Sequence, residues 1–139
     1  TYYGHSCFSV FANGKHLLFD PFITPNELAK HINVDEIKAD YIFISHALYD
    51  HILDVERIAK NTGAKVLGNF KIYSWLLKNG IENAHPINPG GKFSFDFGTV
   101  KCVIAQYPSS FIDGSYGKIA AGFVLTTADG NFYCSKPIL

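Results

Sequence analysis

The segment Tyr41 to Ile52, reading Tyr-Ile-Phe-Ile-Ser-His-Ala-Leu-Tyr-Asp-His-Ile, constrains this chain more than any other stretch. Four apolar or aromatic residues, Tyr41 to Ile44, predict a short strand covered on both faces. His46, Asp50 and His51 follow at the strand's carboxyl end, where ligands gather in α/β folds. Imidazole and carboxylate suit zinc, iron or manganese, and two metals sharing a water make a hydrolytic nucleophile. The plain structural alternative is that Asp50 orients a neighbouring histidine or caps a helix starting near Ile52.

A chain of 139 residues is one domain, or part of one, and its 47% hydrophobic and 15% aromatic content provides for a well-covered core. Twelve acidic residues balance twelve basic ones, so nothing points to nucleic acid or an anionic membrane as partner. No apolar run has the length of a membrane-spanning helix, and the N-terminus has no signal-peptide pattern. Cys7, Cys102 and Cys134 have no CxxC spacing, which fits reduced, buried thiols in a cytoplasmic protein.

Local patterns divide the chain without repeats or low-complexity tracts. Thr1 to Phe11, kinked near Gly4-His5, and His16 to Asp20 read as two strands joined at Asn13-Gly14, a strong hairpin signal. Two prolines make Asp20 to Asn26 a loop, and Asn33 or Asp35 caps a brief helical turn. Leu53 to Asn61 reads as a helix ending near Gly63, Lys65 to Gly68 as a strand, and Lys71 to Lys78 as a second helix. Lys92 to Phe97 then alternates with period two, placing Phe93, Phe95 and Phe97 on one face. Thr99 to Gln106 is a further strand, and Ile119 to Thr127 pairs with Asn131 to Ser135. Between them Tyr107 to Lys118 is a loop long enough to be functional. The expected architecture is an α/β (α+β) single domain over 1–139, one layer of mixed sheet with helices on one face.

Four stretches together resemble one known group: Tyr2-Tyr-Gly-His5-Ser-Cys-Phe8, Leu18-Phe-Asp20-Pro-Phe-Ile-Thr-Pro-Asn26, the His46 to His51 segment, and Asp113-Gly-Ser-Tyr-Gly117. They are similar to the L-ascorbate-6-phosphate lactonase-like branch of metal-dependent hydrolases in the metallo-β-lactamase superfamily. The resemblance implies an αββα sandwich with a dinuclear site at one edge that hydrolyses an ester, lactone or phosphoester. It also assigns His46, Asp50 and His51 as metal ligands, with Asp50 the catalytic candidate. Three ligand positions of the family pattern are changed: its second histidine falls on Leu48, its third on Tyr107, and its bridging aspartate on Pro137. Near Tyr116 the family's Gly-Gly-Asn-Pro-Ala-Gly becomes Gly117-Lys-Ile-Ala-Ala-Gly122. Zinc, or iron or manganese, is therefore expected to bind weakly or not at all, because catalytic zinc usually has three protein ligands. Scaffold motifs kept beside replaced ligands suggest a site emptied by engineering or by conversion to a binding role.

The resemblance also implies that the chain is the first half of the fold, with one sheet face bare around Phe93, Phe95 and Phe97. Such a patch marks an interface, and the expectation is a homodimer or pairing with a complementary second half that rebuilds the two-sheet sandwich. The readings compete: a metal-dependent hydrolase with an impaired site, or a non-catalytic, engineered or truncated half-domain that self-assembles. Among other residues, His5 belongs either to the pocket or to the scaffold. Tyr49 and Tyr107 are candidate donors to a ligand, and Lys136 is either an amine nucleophile or a solvated charge. Asp20 ties down its loop, Ser109 and Ser110 lack a base, and His16, His31 and His85 read as surface or loop residues. Gly114, Gly117 and Gly122 read as turns.

Overall fold

The computed structural model describes residues 1–135. Among the described residues ten strands follow in order: β1 (Tyr2–Gly4), β2 (Cys7–Ala12), β3 (Lys15–Phe19), β4 (Tyr41–Phe43), β5 (Lys65–Gly68), β6 (Ala84–Pro86), β7 (Lys92–Phe95), β8 (Gly98–Ile104), β9 (Ala121–Thr127) and β10 (Gly130–Cys134). The helices α1 (Tyr49–Ile52) and α2 (Val55–Thr62) lie between β4 and β5, and α3 (Phe70–Lys78) between β5 and β6. Six strands form one sheet in the order β1-β2-β3-β4-β5-β6, and four form a second in the order β10-β9-β8-β7. The first sheet is mixed: β1, β2 and β3 pair antiparallel, while β3 to β6 run parallel. The second is antiparallel throughout.

Strand alternation decides which layer each residue joins. From β3, β4 and β5, Leu18, Ile42 and Val66 face the helices and pack with Val55, Ile58, Ile72 and Leu76. Their neighbours Leu17, Phe19, Tyr41, Phe43 and Leu67 face the second sheet and pack with Phe97, Val100, Cys102, Phe123 and Leu125. A strand covered on both faces is nearly all apolar, as Tyr41 to Ile44 predicts. Phe19 stacks on Phe43 at a centroid distance of 4.7 Å, and Phe43 meets Phe123 edge-on at 5.3 Å.

The α/β sandwich and the mixed sheet with helices on one face are therefore present, but the expected bare sheet face is not. Residues 92–134 build a second sheet that covers it. Phe97 is fully buried between the layers, Phe95 is half-buried, and Phe93 is half-exposed at the margin beside His85. Alternation puts the three rings on one side, and strand pairing turns that side inward.

Four local expectations also change. The Gly4-His5 kink is a full reversal that splits the first strand in two, with Gly4 and His5 both at positive φ. The helix expected from Leu53 begins earlier and is broken at Asp54, whose side chain turns to the preceding loop. His85 lies on the edge strand β6, its ring 4.4 Å from Phe93 and 5.2 Å from Phe95, so it is packed rather than a loop residue. Gly122 lies inside β9, and Gly117 is a point of close approach rather than a turn.

Candidate metal centre

His46 and its neighbours emerge where β4 ends at the carboxyl edge of the parallel strands, because the backbone must leave the sheet there. Ser45, at that exit, is anchored by Asp20 from the end of β3: Asp20 Oδ1 accepts from the Ser45 amide at 2.8 Å, and Oδ2 from its hydroxyl at 2.6 Å. The same Asp20 Oδ2 lies 3.0 Å from His51 Nδ1. Ser45 Oγ is also 2.7 Å from His46 Nδ1, so one buried carboxylate and one hydroxyl fix both imidazoles. The two rings sit 3.9 Å apart by centroid.

A second layer of bonds holds this arrangement. The long loop touches it directly: the Ala47 amide donates to Ser109 Oγ at 3.0 Å, and the Ala121 amide to the Ser45 carbonyl at 2.7 Å. Gly117 must be glycine for this contact, since a Cβ there would lie 2.6 Å from Ser109 Oγ and 2.7 Å from the Ala47 Cβ. Buried Asp54 accepts from the amides of Ile23 and Thr24 at 2.6 and 2.9 Å and from the Thr24 hydroxyl at 2.5 Å. The loop after Pro21 is thus tied down by Asp54, and Asp20, expected in that role, serves the centre instead.

At the open side, His5 Nε2 lies 2.6 Å from Asp50 Oδ2, and Asp50 Oδ1 is 3.8 Å from His51 Nε2. The His5 and Asp20 backbones both adopt positive φ, 53° and 43°, a region that few non-glycine residues occupy and that here turns both side chains into the centre. Two groups result, His5–Asp50–His51 and Asp20–His46–His51, in each of which the ligand atoms lie within 4.8 Å of one another. Zinc–ligand bonds of about 2.0–2.2 Å put neighbouring ligands roughly 3–4 Å apart, so both groups have the dimensions of a metal cradle. Asp20 is buried and engaged by Ser45, outside its group, whereas Asp50 is one-third exposed and meets His5 within its own group, so the outer group is the better holder and the inner one its support.

The structure thus brings the expected His46, Asp50 and His51 together and adds His5 in direct contact. Tyr107 stands edge-on to His46 at 5.0 Å, and Tyr49 packs on Phe22 at the rim. Leu48 begins α1 and offers only its carbonyl, which accepts from the His51 amide at 2.9 Å. Lys136 and Pro137 lie outside the described residues. Asp20, Ser45 and Ser109 were not singled out for this centre; the signal available for Asp20 was a carboxylate ending an apolar strand beside a proline. No helix among the described residues is long and apolar enough to cross a membrane.

Comparison with known proteins places this geometry in context. The β-lactamase superfamily domain matches residues 1–133. A UPF0173 metal-dependent hydrolase of Flavobacterium johnsoniae is 49% identical over 133 residues, covering 96% of this chain and 59% of its own length. One from Methylacidiphilum infernorum is 47% identical over 132 residues, covering 95% and 58%. Among solved structures, Igni18, a metallo hydrolase of the hyperthermophilic archaeon Ignicoccus hospitalis, superposes with a TM-score of 0.78 at 30% identity, covering 96% of this chain and 57% of its own. The chain spans about three fifths of the length of the curated relatives it matches.

Proposed function

The chain belongs to the metallo-β-lactamase superfamily, and from that premise we propose that it carries the metal-holding part of a metal-dependent hydrolase of esters, lactones or phosphoesters. The observation that carries this reading is the cluster of His5, Asp50 and His51, three ligand atoms of mixed nitrogen and oxygen type within 4.8 Å. It supplies one metal position rather than two, because Leu48, Tyr107 and Pro137 offer neither imidazole nor carboxylate. Zinc, iron or manganese held there would supply Lewis-acid polarisation of a carbonyl or phosphoryl oxygen and would make water more acidic. The protein's own part is preorganisation. Asp20 holds His51, Ser45 holds His46, and Asp50 and His5 meet at the solvent-facing side, where Asp50 is placed to accept a proton. Tyr107 and Tyr49 flank the opening.

The test is metal uptake by chelator-treated protein, followed by calorimetry and elemental analysis. About one zinc or manganese per chain, lost in His51→Ala and weakened in His5→Ala, is expected. Uptake no greater than that of His51→Ala would sink the reading. Activity would then be screened with a lactone, a carboxylic ester and a phosphodiester.

The competing reading is a non-catalytic, engineered or truncated half-domain. The aromatic ring of Tyr107 against His46 and the apolar Leu48 favour it. With it goes a partner, a second copy or a complementary half, and the site for it moves to the outer face of the second sheet. Exposed Tyr133 and half-buried Val103 and Val124 support that placement, by strand alternation and pairing. Light scattering giving twice the chain mass would favour the homodimer; a single-chain mass at all concentrations would remove it. Free thiols at Cys7, Cys102 and Cys134 support a cytoplasmic setting.

A further inference from the structure

Away from the metal centre, α3 and the 107–118 loop enclose a groove of about 610 Å³. Its walls are held at a fixed spacing. Buried Asn69 caps α3 by accepting from the Ile72 amide at 3.0 Å, while its Nδ2 donates to the Gly117 carbonyl at 2.7 Å and the Ile119 carbonyl at 3.2 Å. The loop wall is itself closed by the Phe111 amide on the Ser115 carbonyl at 2.9 Å and the Gly114 amide on the Phe111 carbonyl at 2.9 Å. Trp75 and Phe111 touch across the groove at 5.7 Å, tilted by 33°.

What lines this space is unusual for bare surface. Phe70 is 52% and Tyr116 65% exposed, although each has a neighbouring wall to pack on. Lys71 and Lys78 lie seven residues apart on the same side of α3, with Ser74 and Trp75 between them. Neither lysine has an ion pair within 4.0 Å among the described residues. The facing carboxylate, Asp113, accepts from the Ser115 amide at 2.9 Å and its hydroxyl at 2.6 Å, which with a smaller contribution from the Lys78 charge holds it below the usual carboxylate range, so Lys78 is partly opposed and Lys71 is not. Small-molecule sites are typically clefts of about 300–1,000 Å³ that combine aromatic faces with a few placed polar or charged groups. A π-face stacks on the rings, and lysine ammonium groups attract an anion.

We propose that this groove binds a small aromatic anion, a ring bearing a phosphate or carboxylate, stacked against Trp75, Phe111 and Tyr116 with its charge toward Lys71 and Lys78. The loop wall also contacts the metal centre, but the groove is lined by none of the metal-holding residues, so binding here is read separately from metal uptake. Trp75 is the single tryptophan of the chain, so the one indole N–H resonance reports on the groove directly.

The experiment is a titration of nitrogen-15-labelled protein with phenyl phosphate, followed by two-dimensional NMR with chelator present throughout. The expected result is a saturable shift of the Trp75 indole peak. Inorganic phosphate and benzyl alcohol, each carrying half of the recognition, should bind about tenfold more weakly or less. Lys71→Gln with Lys78→Gln should cost about tenfold in affinity, and Asp113→Asn should tighten binding by removing the opposing charge. Both lysines are exposed, so their replacement leaves the fold intact, verifiable from the rest of the spectrum. An indole peak that does not move, one that responds equally to inorganic phosphate, or an affinity unchanged by the lysine substitutions would each overturn the proposal.

Discussion

Asp20 and Asp54 show how much of this protein depends on single buried carboxylates. Each accepts hydrogen bonds from residues 25 to 31 positions away, and each therefore locks one loop to another. Replacing Asp54 with alanine strands the buried Ile23 amide and releases the part-buried amide and hydroxyl of exposed Thr24, which should cost roughly 1–3 kcal/mol. Chemical denaturation will read that loss, and a change below half of it would mean that water satisfies the donors. Asp20→Asn keeps the shape but places an amide N–H where an oxygen faced the Ser45 hydroxyl and His51. A carboxylate behind a ligating histidine is typically worth about 10–100-fold in metal affinity. Metal titration of this variant should show that loss, and unchanged affinity would separate Asp20 from the centre. Neither role was legible in the residues themselves. A carboxylate before a proline reads as a loop anchor until the partner strand that carries Ser45 is placed beside it.

At the scale of elements, the chain's local chemistry predicted most of what formed. The Asn13-Gly14 hairpin, the strands at Tyr41 and Lys65, and the helix ending beside Gly80 all follow from turn residues and periodicity. The differences occur where a long-range contact overrode local preference. The helix breaks at Asp54 because that side chain is drawn to Ile23 and Thr24, and β6 forms despite Pro86 because it lies at the sheet edge, where one missing N–H costs little. Asn69 joins α3 to the long loop, so Asn69→Ala should remove a helix cap and two further donors, destabilising by about 1–3 kcal/mol. Hydrogen exchange should quicken in residues 109–118 more than in β4. Uniform quickening would mean that the loop is held by other contacts.

Across the whole molecule, burial sets the response to pH. It pushes the thiols of Cys7, Cys102 and Cys134 and the phenol of Tyr41 up to about 12. Their folded values lie above the ordinary 9.0 and 10.0, so the stability they contribute is complete below pH 9 and lost as pH rises towards 12. His85 is shifted the other way: desolvation and then the nearby Lys65 charge lower its value, so it contributes stability above its ordinary 6.5 that is lost as pH falls. Denaturation midpoints should accordingly form a plateau near neutral pH and fall on both sides, with the hydrogen-bonded carboxyls of Asp35, Asp96 and Asp113, held below their usual range, adding to the loss only below about pH 4. His85→Phe should flatten the acidic limb; an unaltered limb would show that another group controls it. Iodoacetamide at pH 8 should leave Cys7 and Cys102 of the native protein unmodified, since both are buried and protonated.

Local pattern determined where most of the strands and helices lie, that His46, Asp50 and His51 follow a buried strand, and that Phe93, Phe95 and Phe97 share a face. These are consequences of side-chain periodicity and of turn residues within a few positions of one another. Tertiary structure decided which way that face points, that His5 meets Asp50 from 45 residues away, and that Asp20 stands behind His51. Those outcomes belong to strand pairing and layer packing, where the hydrophobic gain of closing two sheets together selects among arrangements that look alike along the chain.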